Sequence, residues 1–263
     1  MTELLLDPAK DLFVTCVLCL TRLTAASLVV PFLGGESVQV SVRTSILVAL
    51  GIMLIPLVGP TVPTEMLSPL PLAGLFLKEA VLGFLVGFVA AKIFWAALGV
   101  GMMIDNQRGA SIAETLDPSS NSQVSPLGLF LQQSMIALFY CCGGFLIFLT
   151  GIFESYVTWP VFSFYPEFSN GFPEFFLDQL DQLMKLILVM ASPMLITLFV
   201  SEFGLGLINR FAPQLNVFAL AMPVKSLVAF IVLVFYLPYL VDFLLTHAYD
   251  GASTMKELQT VMQ

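Results

Sequence analysis

The stretch Pro126-Leu127-Gly128-Leu129-Phe130-Leu131-Gln132-Gln133-Ser134-Met135-Ile136-Ala137-Leu138-Phe139-Tyr140-Cys141-Cys142-Gly143-Gly144-Phe145-Leu146-Ile147-Phe148-Leu149-Thr150-Gly151-Ile152-Phe153 contains no Lys, Arg, Asp or Glu. A membrane-spanning helix needs about 20 predominantly apolar residues, and this run exceeds that. It predicts a span.

The rest of the chain fits the same solvent. Of 263 residues, 58% are hydrophobic and 11% charged, against roughly 45–50% and about 25% in soluble domains. A water-soluble protein of this composition would expose large apolar patches. Five further apolar runs occupy 12–33, 44–58, 72–104, 183–208 and 217–241. The expected fold is therefore all-α, a polytopic membrane protein of about six long hydrophobic helices in a single domain, 1–263. Pro56 breaks the second run. The third, at 1.5 Å per residue, is longer than a bilayer is thick and must tilt, bend or project.

Two connections stand out. Residues 105–125 are polar and include Asp105, Asn106, Gln107, Arg108, Glu114 and Asp117. Residues 154–182 alternate acids (Glu154, Glu167, Glu174, Asp178, Asp181) with Tyr156, Trp159, Phe162, Phe164, Tyr165 and other rings. They read as an interfacial loop or lying helix. Arg43, Arg108 and Arg210 place their loops on the cytoplasmic side by the positive-inside rule, and the acidic loop outside. The first residues, with Glu3, Asp7 and Asp11 against Lys10, lack the basic start of a signal peptide, so the first run is expected to be a retained span.

Several functions find no support in these residues. The net charge is −8 and the ten basic residues are scattered, so no patch grips phosphates and nucleic-acid binding is not expected. There is no G-x-S-x-G, no phosphate-binding glycine loop, no H-E-x-x-H, and one histidine, His247. No catalytic residue, cofactor or metal site is expected, and the chain is not read as an enzyme. Cys16-x-x-Cys19 lies in an apolar run without further ligands, and reads as two small core residues.

Charges inside apolar runs carry more. Arg22, Lys78, Glu79, Lys92, Glu202 and Lys225 would each cost about 2.5–3.5 kcal/mol at the bilayer centre on insertion scales. They must pair, reach an interface, or face protein or water. Lys78 and Glu79 are neighbours and point to different sides, so at least one is expected to meet another helix or subunit. Gly83-x-x-x-Gly87 followed by Ala91 offers a small face for close helix packing. In Asn209-Arg210-Phe211-Ala212-Pro213-Gln214-Leu215-Asn216-Val217-Phe218, Pro213 ends one helix and Asn216 caps the next. Two functions stay open on these grounds: a structural subunit of a protein-conducting gate, or a small-solute secondary transporter with helices broken at Pro193, Pro223 and Gly204-x-Gly206 around Glu202.

The string Asn209 to Phe218 resembles the signature of the FliR/SpaR/SctT family, the T component of type III secretion export gates. Lys78-Glu79-Ala80-Val81-Leu82-Gly83, Ile104-Asp105-Asn106-Gln107-Arg108-Gly109-Ala110 with Asp117-Pro118, and Pro31-Phe32-Leu33 agree in the right order. The central stretch and Val224-Lys225-Ser226 look like the virulence injectisome branch rather than the flagellar one. The resemblance implies a non-enzymatic protein of the bacterial inner membrane, its helices arranged as hairpins in a larger assembly. Its partners would be the R and S components, the autocleaving U component, inner rod and needle proteins, lipid, and secreted proteins in transit. It also implies that Gln107, Arg108, Gly109, Ala110, Ser111, Ile112, Thr115, Leu116 and Asp117 help close the resting channel, with Ile112 and Leu116 where some relatives carry aromatic rings. Lys78, Glu79, Gly83, Gly87, Glu202, Asn209, Arg210, Pro213, Gln214, Asn216 and Lys225 would serve assembly.

Overall fold

The computed structural model describes residues 3–34, 38–59, 68–109, 125–163, 171–211 and 217–261. Among the described residues there are seven helices and no strand. They are α1 (Glu3–Val29), α2 (Val40–Val58), α3 (Pro69–Arg108), α4 (Pro126–Cys141), α5 (Gly144–Thr158), α6 (Phe172–Phe211) and α7 (Val217–Val261). Within them, 10–29, 40–58, 69–108, 172–211 and 220–244 are long and apolar enough to cross a membrane, and α4 with α5 supplies a sixth if the pair forms one broken span.

The helices depart from the sequence-based bounds in ways with local causes. The run 126–153 is two helices, because Gly143 adopts φ 75°, a left-handed conformation that glycine reaches without a Cβ penalty. The first helix starts at Glu3 and ends at Val29, before Pro31, which disfavours helical geometry in its predecessor. Pro56 stays inside α2 near its end. The 154–182 stretch is mostly helical: α5 continues to Thr158 and α6 starts at Phe172. The acids Glu174, Asp178 and Asp181 thus lie in the first turns of α6, and Glu174 in the first turn is favoured by the helix dipole. The polar tail after 241 continues α7 to Val261.

The chain divides into two compact units. The first comprises 1–92, 142–178 and 249–263; the second comprises 93–141 and 179–248. In the first, α1 lies against α3 at two glycines. A Cβ on Gly83 would strike the carbonyl of Arg22 and come 2.9 Å from the Ala25 Cβ, and one on Gly87 would come 2.8 Å from the Ala26 carbonyl. Leu18, Cys19, Leu23, Ala26, Leu82 and Val86 are buried there, and Phe32 meets Phe148 edge to face at 5.1 Å.

In the second unit α3 and α4 cross at Gly101 and Gly128, where a Cβ on Gly101 would collide with the Gly128 backbone. Phe94, Ala97, Val100, Met135, Met190, Met194 and Leu233 form the surrounding core. Pro193 does not break α6. Its missing N–H would leave the Val189 carbonyl without a donor, and the Ser192 hydroxyl fills the gap, donating to that carbonyl at 2.8 Å.

Candidate functional site

Five of the six charges that the sequence places inside apolar runs, Arg22, Lys78, Glu79, Glu202 and Lys225, gather in two clusters, one in each unit. In the first unit Arg22, in the last third of α1, is 1% exposed. A guanidinium has five N–H donors, and five acceptors meet them. Nε donates to Glu79 Oε2 at 2.6 Å and Nη2 to Glu79 Oε1 at 2.9 Å. Nη1 donates to the Ser155 carbonyl at 2.8 Å and its hydroxyl oxygen at 3.1 Å, and Nη2 also donates to the Trp159 carbonyl at 3.0 Å. The guanidinium lies 4.0 Å from the centroid of the Tyr156 ring, a favourable cation–π distance. The Tyr156 hydroxyl in turn donates to the Cys19 carbonyl at 2.8 Å.

Lys78 completes the cluster. Its ammonium pairs with Glu79 Oε1 at 3.0 Å and donates to the carbonyls of Pro160, Val161 and Ser163 at 3.0, 2.8 and 2.8 Å. Lys78 and Glu79 do pair, because the long Lys stem folds back to the same carboxylate that Arg22 holds, and each also meets a group outside its own helix, as expected of at least one of them. Two cations and one anion leave one positive charge. The carbonyls at and beyond the end of α5 answer it, where the helix dipole is negative. Arg22, Glu79 and Lys78 therefore tie α1, α3 and the α5 terminus into one buried polar joint.

The second cluster sits where α3 ends and α4 begins. Asp105, 3% exposed, accepts from Arg108 Nε at 2.8 Å on one oxygen. On the other it accepts from the Ser125 hydroxyl at 2.6 Å and the Leu127 backbone N–H at 3.0 Å. Ser125 Oγ accepts the Gly128 N–H at 2.9 Å, so Ser125 caps α4 with Pro126 at its first position, where no N–H is needed. Gly109, at φ 85°, follows α3 as its left-handed terminator.

Glu202 of α6 and Lys225 of α7 join this cluster. They pair at 2.8 Å. Lys225 also donates to the Gln107 carbonyl at 3.4 Å, and Gln107 Nε2 to Glu202 at 3.4 Å. The Arg108 guanidinium stands 5.3 Å from the Phe230 ring centroid. Asp105, Arg108, Glu202 and Lys225 sum to zero charge, so the cluster needs no outside counterion.

Of the residues singled out from sequence, Lys78, Glu79, Gly83 and Gly87 meet in the first unit, and Gln107, Arg108, Glu202 and Lys225 in the second. Asn209 and Arg210 are exposed at the end of α6. Ala110, Ser111, Ile112, Thr115, Leu116, Asp117, Pro213, Gln214 and Asn216 lie outside the described residues. Asp105, Ser125 and Ser155 have no role assigned from sequence, and Tyr156 and Trp159, read there as interfacial rings, are instead buried in the first unit. Ser125-Pro126 before an apolar run carries a capping signal, whereas nothing in sequence links Arg22 to the α5 terminus.

The most solvent-accessible faces are apolar. Ile196, Phe199, Val200 and Phe203 on α6, and Leu227, Ile231, Val234 and Phe235 on α7, are all exposed, as suits helices bathed in lipid or covered by other subunits.

Comparison with known proteins accounts for this body of helices. The chain matches the family model for bacterial export proteins, family 1, over residues 13–250. It is 43% identical over 225 residues to the Yop proteins translocation protein T of Yersinia pestis, which covers 84% of this chain and 85% of that protein. It is 32% identical over 208 residues to the surface presentation of antigens protein SpaR of Salmonella typhimurium, covering 78% and 76%. Identity to the flagellar biosynthetic protein FliR of Bacillus subtilis is 28% over 225 residues, covering 85% and 86%. A match that extends from the first apolar helix into the last, in a chain whose helices suit a bilayer, makes this a multi-pass membrane protein that belongs to the bacterial export proteins of family 1, the FliR/SpaR/SctT family.

Proposed function

We propose that this chain is a structural, non-enzymatic subunit of a type III secretion export gate in the bacterial inner membrane. With R and S components it forms the channel through which unfolded secreted proteins leave the cytoplasm, in contact with the U component and the inner rod and needle proteins. The observation that carries this reading is family membership over 13–250. Identity of 43% to the Yop translocation protein T, against 28% to FliR, favours the injectisome branch. Two charged clusters satisfied within the chain, beside broad apolar faces, suit a subunit that offers neighbours rigid greasy helices.

On this reading the polar stretch from Gln107 to Asp117 lies towards the channel and contributes to its resting closure. The test is a cysteine at Ile112 in the intact secretion machine with a substrate trapped in transit. A crosslink to that substrate is expected. Inaccessibility of both Ser111 and Ile112 would remove the segment from the channel. Purification from native membranes should also recover R and S components with this chain. The transporter alternative needs a broken helix near Glu202, yet α6 runs unbroken through Pro193 with its freed carbonyl satisfied. Solute uptake by the purified chain alone in liposomes would revive it.

A further inference from the structure

We propose that α2 is the lipid-facing helix of the first unit, its outer surface covered by phospholipid acyl chains and its Arg43 end seated among anionic headgroups. At 19 residues it is about 28 Å long, close to the roughly 30 Å hydrocarbon core of a bilayer. By contrast α3 and α6, at 40 residues each, far exceed it. Residues 44–58 hold no Lys, Arg, Asp or Glu. Only 17% of α2 is buried within the chain, the smallest share among the described helices that could each span a bilayer. Its inner line, Leu47, Gly51 and Leu54, is buried, and α2 packs on α1, where a Cβ on Gly51 would strike Leu20. Val48, Ile52, Met53 and Leu57 are exposed over about half the circumference at 3.6 residues per turn. The stripe that one neighbouring helix covers is narrower, whereas lipid tails wrap any apolar surface.

The polar groups of α2 support the same occupant. Thr44 and Ser45 turn their hydroxyls back onto the Val40 and Ser41 carbonyls, so neither offers a free proton to a protein neighbour. The exposed face of α6 differs, since Glu202 stands half-exposed on it. Among the described residues Arg43 pairs with no carboxylate. It lies in the first turn of α2, where no acid accompanies it and the helix dipole disfavours a cation. Lipid phosphates at that level reverse the balance, because they meet both the guanidinium and the positive end of the helix. The positive-inside rule sets this end on the cytoplasmic side, where anionic lipids attract basic residues. The inference needs only a chain embedded in a membrane, and it stands apart from the export-gate reading.

The test places the chain, with the subunits that co-purify with it, in vesicles of phosphatidylethanolamine and phosphatidylglycerol. Either lipid is traced by a copy carrying a diazirine in its acyl chain, and labelled residues are located by mass spectrometry after illumination. Both probes are expected to label Val48, Ile52 and Met53. In Arg43→Gln, labelling of α2 by the phosphatidylglycerol probe should fall about fivefold, the scale of one basic residue at an anionic surface. Labelling by the phosphatidylethanolamine probe should not change. Arg43→Lys keeps the charge and should keep the parent's labelling. If α2 stays unlabelled while other helices of the chain are labelled, another subunit covers it and the proposal fails. If Arg43→Gln leaves phosphatidylglycerol labelling unchanged, or lowers both probes equally, the headgroup role of Arg43 is overturned. Should Arg43→Gln fail to fold, the parent at high salt decides, since salt screens an exposed charge. Selective loss of phosphatidylglycerol labelling there supports the role, and unchanged labelling removes it.

Discussion

Arg22 on α1 grips Glu79 on α3 through two parallel hydrogen bonds of 2.6 and 2.9 Å, and neither side chain reaches solvent. The pair stands one helical turn from Gly83, whose missing side chain lets the Arg22 carbonyl approach. The close helix contact and the ion pair are thus one feature. Without the glycine, α1 would stand too far from α3 for the fork to close on the carboxylate. The spare donors of Arg22, and those of Lys78, then secure the end of α5. A polar joint of this kind locks helix register, which purely apolar faces leave free to slide.

Breaking the pair from either side should therefore be costly. Arg22→Met leaves Glu79 with Lys78 alone and strips the Ser155 and Trp159 carbonyls of a donor. Glu79→Gln leaves two buried cations facing one another. Each is expected to cost about 3–5 kcal/mol, the usual loss on removing one partner of a buried pair. Arg22→Lys should rescue little, since an ammonium cannot reproduce the planar fork. Thermal unfolding in detergent, followed by fluorescence-detected size exclusion, checks the order.

The glycines divide into packed and open positions. Gly83→Ala and Gly101→Ala force helices apart and are expected to destabilise by about 1–3 kcal/mol. Gly204→Ala and Gly206→Ala meet nothing within 4 Å and should stabilise the isolated chain by up to about 1 kcal/mol through helix propensity. If Gly204→Leu folds normally yet lowers recovery of the export complex, another subunit covers this face of α6. Unchanged recovery would leave it to lipid.

Thiol labelling gives a direct reading of burial. Cys141 and Cys142 are exposed at the α4–α5 break, whereas Cys19 is buried beneath Tyr156. A maleimide should modify the first two in the detergent-purified chain within minutes and Cys19 only on unfolding. Early modification of Cys19 would contradict the packing of α1. In Arg22→Met, Cys19 should react faster than in the parent while Cys141 and Cys142 keep the parent's rate.

Arg210, exposed at the end of α6, is expected to serve assembly rather than folding. Arg210→Ala should leave membrane insertion and thermal stability within about 0.5 kcal/mol of the parent, as surface changes generally do, while reducing co-purified R and S components. Pro213→Ala should behave in the same direction. Normal complex yield from both would detach this motif from assembly.

Much of the architecture was legible in the chain alone. Uncharged runs longer than a bilayer dictate spanning helices, because backbone polar groups in lipid must be satisfied within the helix. The resemblance around Asn209 to Phe218 located the family, and the cost of charges in lipid marked Arg22, Lys78, Glu79, Glu202 and Lys225 as needing partners. Which partners was another matter. Arg22 and Ser155 are 133 residues apart, and no spacing rule connects them. Pairing depends on how helices cross, and crossing depends on small residues meeting backbone, as at Gly83 with Arg22 and Gly101 with Gly128. The break at Gly143 was equally hidden, since an apolar composition is the same on both sides of a turn. Solvent preference is additive along a sequence and can be read from it. The closing of a guanidinium on one particular carboxylate is a property of three-dimensional packing, and only the tertiary structure decided it.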